Sequence, residues 1–227
     1  MATSSEADFP WSLVEDFVEE ARTICVGSGG NLDSRTQKFL DNVSVEKLFE
    51  ILEVASQADN EEHVKLVSKA LEFVFSAETN QRKVLHSDFL PYILGGIQHR
   101  EVHVRLLTLK LVQTTGIDSF PVDSVEPILS SLVEALRDPD TSVSINTTEL
   151  ILKFAEGKTP AASERNNLEI VLQKMSKLVL TLKQSAGDTS TSLLRVFHIV
   201  ATLSARGEEE LKVCQASGAL DPLLDLV

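Results

Sequence analysis

Apolar residues recur at intervals of three and four along most of the chain, and polar clusters interrupt them at regular distances. DNEEHV (59–64), HREVHV (99–104), DPDTSV (138–143) and DTSTSL (188–193) each end in an aliphatic residue that opens an apolar segment. The aliphatic anchors Val64, Val104, Val143 and Leu193 are separated by 40, 39 and 50 residues. Seven positions past each anchor stands another aliphatic: Leu71, Leu111, Leu150 and Val200. Seven residues are nearly two helical turns, so anchor and follower share one face. The pattern predicts second helices of successive helix pairs, each burying an anchor and a follower.

The remaining elements follow from caps and breakers. An amphipathic helix over 11–26 is predicted from Leu13, Val14, Phe17, Val18, Ala21 and Ile24, with a break at 27–31 and a short helical turn over 34–40. Ser44 is placed to cap a helix over 44–57, whose partner covers 61–76. After a basic turn at 81–86 come pairs at 89–98 with 101–114, and 124–137 with 141–155. A longer pair at 163–184 with 189–205 accounts for the wider interval. Pro91 fits a first helical turn, Pro127 lies near the start of its helix, and Gly95-Gly96 is expected to loosen or shorten its own. A helical turn to 215 and the start of a helix at 220–227 close the chain. Helical repeats of about forty residues are the mark of an α-solenoid. The expected fold is therefore all-α: a right-handed α-solenoid with an N-terminal helical cap (1–43) and a repeat array (44–227). The last helix stops without a capping signal, so the expectation is an array truncated at its C-terminal end.

Composition agrees with helix-on-helix packing. Of 227 residues 43 % are hydrophobic, and one Trp and one Tyr accompany a Leu/Val/Ile/Ala-rich interior. The net charge of −13 makes nucleic acid and anionic lipid poor partners and suits a soluble, extended surface. Two cysteines, Cys25 and Cys214, form no motif, which favours a reducing compartment. The first ten residues lack the basic and apolar regions of a signal peptide, and no apolar run is long enough to span a membrane. A cytoplasmic or nuclear protein is expected.

The motifs that suggest chemistry each fail a requirement. Gly157-Lys158-Thr159 resembles part of a phosphate loop, but the position of the earlier glycine is Leu152, inside a predicted helix. His99 and His103 stand four apart without a glutamate directly after the first, and His99 falls in a turn. Solvated or capping roles suit them better, and the equivalence of His63 and His103 favours a repeat role. No His neighbours either Cys, so a Cys/His nucleophile has no support. No catalytic residue, metal ligand or cofactor is expected.

The residues around the anchors carry resemblances. Asp138-Pro139-Asp140 followed by Val143 resembles the HEAT pattern, an Asp-Pro turn leading to Val and a basic residue. Lys65 and Arg105 supply that basic residue, whereas Ser144 and Leu194 replace it. VLHSDFLPYIL (84–94) and VCQASGALDPLLDLV (213–227) look like armadillo repeats instead. SDFLPYILGGIQHREVHVRLLTLKLV (87–112) and SLLRVFHIVATLSARGEEELKVCQASGALDPLLDLV (192–227) resemble the family of proteasome non-ATPase regulatory subunit 5. Members are chaperones of proteasome base assembly and about twice this length, so the resemblance implies an N-terminal portion. It implies a C-shaped solenoid that cradles the C-terminal domain of one ring ATPase, with no catalytic residues to carry over. The alternative is a generic armadillo/HEAT adaptor, such as a nuclear-import receptor, although these use repeated Trp and Asn on their inner helices. If second helices line the concave side, positions one and five past the anchors are candidate partner contacts: Lys65, Lys69, Arg105, Thr148 and His198. The competing reading pairs Lys65 and Arg105 with acidic residues of neighbouring repeats.

Overall fold

The computed structural model describes residues 9–25, 32–76, 80, 85, 87–155, 162–184, 190–205 and 208–217. All regular structure among them is helical: eleven α-helices and two short 3-10 turns. The chain divides into two compact units, Met1–Val84 and Leu85–Val227.

The first unit contains α1 (Trp11–Cys25), α2 (Leu32–Leu40), α3 (Val45–Gln57) and α4 (Glu61–Val74). Ser44 caps α3 by accepting the Lys47 amide at 3.2 Å, as its position predicted. Asp59 adopts a left-handed φ of 56° and reverses the chain, after which Asn60 caps α4 through the His63 amide at 3.2 Å. The short connection makes α3 and α4 antiparallel neighbours along their length. Helix α1 packs across α4 and against α2. Aromatic rings fill that junction: Phe17 stacks on Phe39 at 4.1 Å between centroids and meets Phe73 edge-on at 6.5 Å.

The second unit is built from α5 (Leu90–Ile97), α6 (Val102–Thr115), α7 (Val122–Ala135), α8 (Thr141–Ala155), α9 (Ala162–Gln184), α10 (Ser190–Ser204) and α11 (Glu208–Ala216). Each consecutive pair, α5/α6, α7/α8 and α9/α10, packs as a hairpin. Like packs on like between hairpins: α5 touches α7 and α7 touches α9, while α6 touches α8 and α8 touches α10. Two rows result, one of first helices and one of second helices, with α11 against both α9 and α10. Ile93, Ile97, Ile128, Leu129, Leu132, Leu136, Ile151, Leu172 and Met175 are fully buried in this unit.

The predicted helices match these elements within a few residues at each end. The wider interval arises from the 23 residues of α9. Gly95 and Gly96 do not break α5, which runs through both. Gly96 is instead a contact point with α6: a methyl there would overlap the Thr108 hydroxyl. Pro127 lies inside α7 rather than at its first turn. The predicted segments 81–84, 157–160 and 220–227 lie outside the described residues.

The register of the last repeat also differs. Val64, Val104 and Val143 are buried with their followers Leu71, Leu111 and Leu150. In α10, however, Leu193 is only half-buried, and the inward set is Val196, Ile199, Val200 and Leu203. Matching this set to Thr108, Leu111 and Val112 of α6 makes Ser192, one residue earlier, the structural counterpart of Val104. Identity of residue type favoured Leu193; the continuous helical phase selects Ser192.

Candidate protein-binding surface

The second helices were expected to expose positions one and five past each anchor. The structure confirms this phase in α4 and alters it in the second unit. Lys65 is exposed and pairs with Glu61 one turn earlier at 3.0 Å. Lys69 is half-buried, pairs with Glu72, and holds its ammonium 5.1 Å from the Phe73 ring centre. Such exposed pairs within one helix contribute little to stability, so both lysines remain accessible to a partner. The phase of α4 is set by α1, which covers the flank carrying His63 and Phe73.

Arg105 is a correction. It is buried rather than exposed, and its side chain is consumed internally. Nη1 donates to the carbonyls of His99 (2.7 Å) and Arg100 (2.8 Å), and Nη2 donates to Asp138 Oδ1 at 3.0 Å. Nε lies 2.8 Å from Asp138 Oδ2, an ionic contact rather than an aligned hydrogen bond. Asp138 Oδ1 also accepts the Asp140 amide at 2.9 Å, and Asp140 caps α8 through the amides of Ser142 and Val143. The Asp-Pro-Asp turn thus presents one carboxylate to Arg105 and the other to the helix N-terminus. This is the inter-repeat pairing that competed with the partner-contact reading.

Thr148 is likewise buried, its hydroxyl donating to the Ser144 carbonyl at 2.8 Å. Positions one and five past the anchors of α6 and α8, namely Arg105, Leu109, Ser144 and Thr148, are all buried. His198 is exposed, because the one-residue shift in register moves it from the fifth to the sixth position past its anchor. The five candidates therefore divide: Lys65, Lys69 and His198 reach solvent, while Arg105 and Thr148 belong to the interior.

Apart from His198, the exposed face of the second-helix row lies at positions the sequence did not single out. Counting from Val104, Val143 and Ser192, the positions two and six further on are Leu106 and Lys110, Ile145 and Glu149, and Leu194 and His198. Leu106 is half-buried, whereas Ile145 and Leu194 are 47 % and 67 % exposed; Phe197, one turn beyond Leu194, is 50 % exposed. Large aliphatics at solvent positions would have been visible in the sequence once the phase of α8 was known. The remaining side chains of this face are predominantly basic: His103 and Lys110 on α6, Lys153 on α8, Arg195 and His198 on α10, against the single acid Glu149.

The histidines have local roles. His63 is half-buried, its ring stacked on Trp11 at 3.6 Å and its Nδ1 2.8 Å from the Asn60 amide nitrogen. His99 lies in the turn before α6, as expected, where Nδ1 accepts the Glu101 amide at 3.1 Å. His103 is exposed, so its equivalence to His63 does not extend to environment. Leu152, at the place a phosphate loop would require glycine, is within α8. Among the described residues no helix is long and apolar enough to cross a membrane. The chain matches no family model and no curated protein.

Proposed function

We propose that this chain is a non-enzymatic protein-binding scaffold of HEAT/armadillo-like repeats, acting as a chaperone in assembly of the proteasome regulatory-particle base. In this reading the hairpins form part of a right-handed α-solenoid that holds the C-terminal domain of a ring ATPase subunit. The observation that carries it is the two-row packing of α5 to α10, stitched between hairpins by Arg105 and Asp138. Such a row offers a continuous surface of second helices, and the stretches that resemble the chaperone family (87–112 and 192–227) both fall in the sequence range of the second unit. The proposed setting is the cytoplasm or nucleus.

The alternative, a generic armadillo or import-type adaptor, would use repeated Trp and Asn on the second helices. Trp11, the one tryptophan, is instead on α1 against His63. The deciding experiment captures isolated C-terminal domains of the base ATPases on immobilised full chain. Selective retention of one domain is expected. Equal retention of all, or of none, overturns the proteasome reading and leaves only an adaptor.

A further inference from the structure

The second-helix row of the second unit carries a surface whose chemistry specifies an occupant. Its helices α6, α8 and α10 lie side by side, at the spacing of about 8–10 Å usual for packed helices. Their outward positions repeat in phase, so Leu106, Ile145 and Leu194 form an apolar line across the row, with Phe197 beside its last member. Three exposed large apolar side chains on adjacent helices exceed the scattered single ones of an ordinary surface.

Charge supplies the second, independent observation. The chain carries −13, yet these three helices contain Arg105, Lys110, Lys153 and Arg195 against only Glu149. Arg105 is turned inward, but Lys110 and Lys153 are exposed, Arg195 is half-buried, and His103 and His198 stand on the same outward side. An acidic protein with a basic band bordering an apolar line is complementary to a ligand of the opposite arrangement. A nucleic acid would not need the apolar line, and an anionic lipid surface would be repelled by the rest of the molecule.

We infer that the line Leu106–Ile145–Leu194–Phe197, bordered by Lys153 and Arg195, is a docking surface for an amphipathic, acid-flanked helix of a partner protein. The partner helix lays its apolar stripe across the row, with anchors at the three- and four-residue spacing of helix-in-groove recognition. Its carboxylates meet Lys153 and Arg195. The inference rests on the protein-scaffold reading and assigns that scaffold a surface and a class of ligand. It also places Glu149 as the one unfavourable charge on the face.

The test uses the full chain and two labelled designed peptides of about 18 residues, some five helical turns. Both carry the same Leu stripe; one is flanked by Glu, the other by Lys. Fluorescence anisotropy should show the Glu peptide binding at least about tenfold more tightly than the Lys peptide, with the difference shrinking at high salt. Ile145→Glu with Leu194→Glu should weaken the Glu peptide by about tenfold or more. Lys153→Glu with Arg195→Glu should weaken it while improving the Lys peptide, and Glu149→Lys should tighten the Glu peptide. The charge-reversal pair keeps the test decisive if the apolar pair disturbs folding. Equal binding of the two peptides, or binding unaffected by either pair, overturns the inference. So does a wild-type dimer in sedimentation that Leu194→Glu converts to monomer, since the occupant is then a second copy. Retention of an ATPase domain by the apolar double variant removes this location but leaves the scaffold reading; peptide selectivity without ATPase binding does the reverse.

Discussion

The most consequential single contact is Arg105 with Asp138. Both side chains are 9 % exposed, so each depends on the other, Arg105 also on the His99 and Arg100 carbonyls and Asp138 also on the Asp140 amide, for the hydrogen bonds that water would otherwise supply. Removing one partner of such a pair costs about 3–5 kcal/mol, because the other charge stays buried and uncompensated. Asp138→Ala should therefore lower stability by about that amount in urea unfolding, whereas Lys65→Ala, which breaks an exposed pair with Glu61, should change it by under about 1 kcal/mol. The sequence offered both residues as the basic member of one motif and held the two roles open for each. Which role each takes depends on burial, and burial follows from whether another helix covers that flank.

At the scale of helices, hydrophobic period and capping residues located every described α-helix within a few positions, but not the 3-10 turn Ile117–Ser119. Ser44 and the Asp138-Pro139-Asp140 turn act at the helix starts where they were expected to act. Phase was harder to read. A helix that packs on a hairpin partner and on two row neighbours buries so wide an arc that its period alone leaves several rotations open. Leu193 looked like an anchor because it is aliphatic, yet the buried arc of α10 is centred on Val196, Ile199, Val200 and Leu203. Two substitutions separate the registers: Ile199→Asp should abolish cooperative thermal unfolding, while Leu193→Asp should leave a folded helical protein. Leu111→Ala in α6 should cost about 2–5 kcal/mol in denaturant titration, as expected for a truncated core leucine. Gly96 is needed where α5 approaches Thr108 of α6, so Gly96→Ala should destabilise by about 1–3 kcal/mol, and Thr108→Ala in the same chain, which removes the overlapping hydroxyl, should restore part of it.

At the scale of the whole molecule, the all-helical class follows from composition and period, and the functional surface from neither alone. Net charge described an acidic protein and hid the basic face of α6, α8 and α10, because acids elsewhere outnumber it. The outward line of Ile145 and Leu194 became visible only when three helices shared one phase. Candidate residues chosen one position away, Arg105 and Thr148, are held inside the fold. The central claim is that the chain binds protein, and a ring ATPase domain in particular, without catalysing a reaction. Its most direct test is calorimetric titration of the full chain with each isolated C-terminal domain of the base ATPases. The account predicts a saturable one-to-one isotherm for one domain, weakened by added salt, and no heat of binding for the others. Flat isotherms for every domain, or the same affinity for all of them, would contradict it.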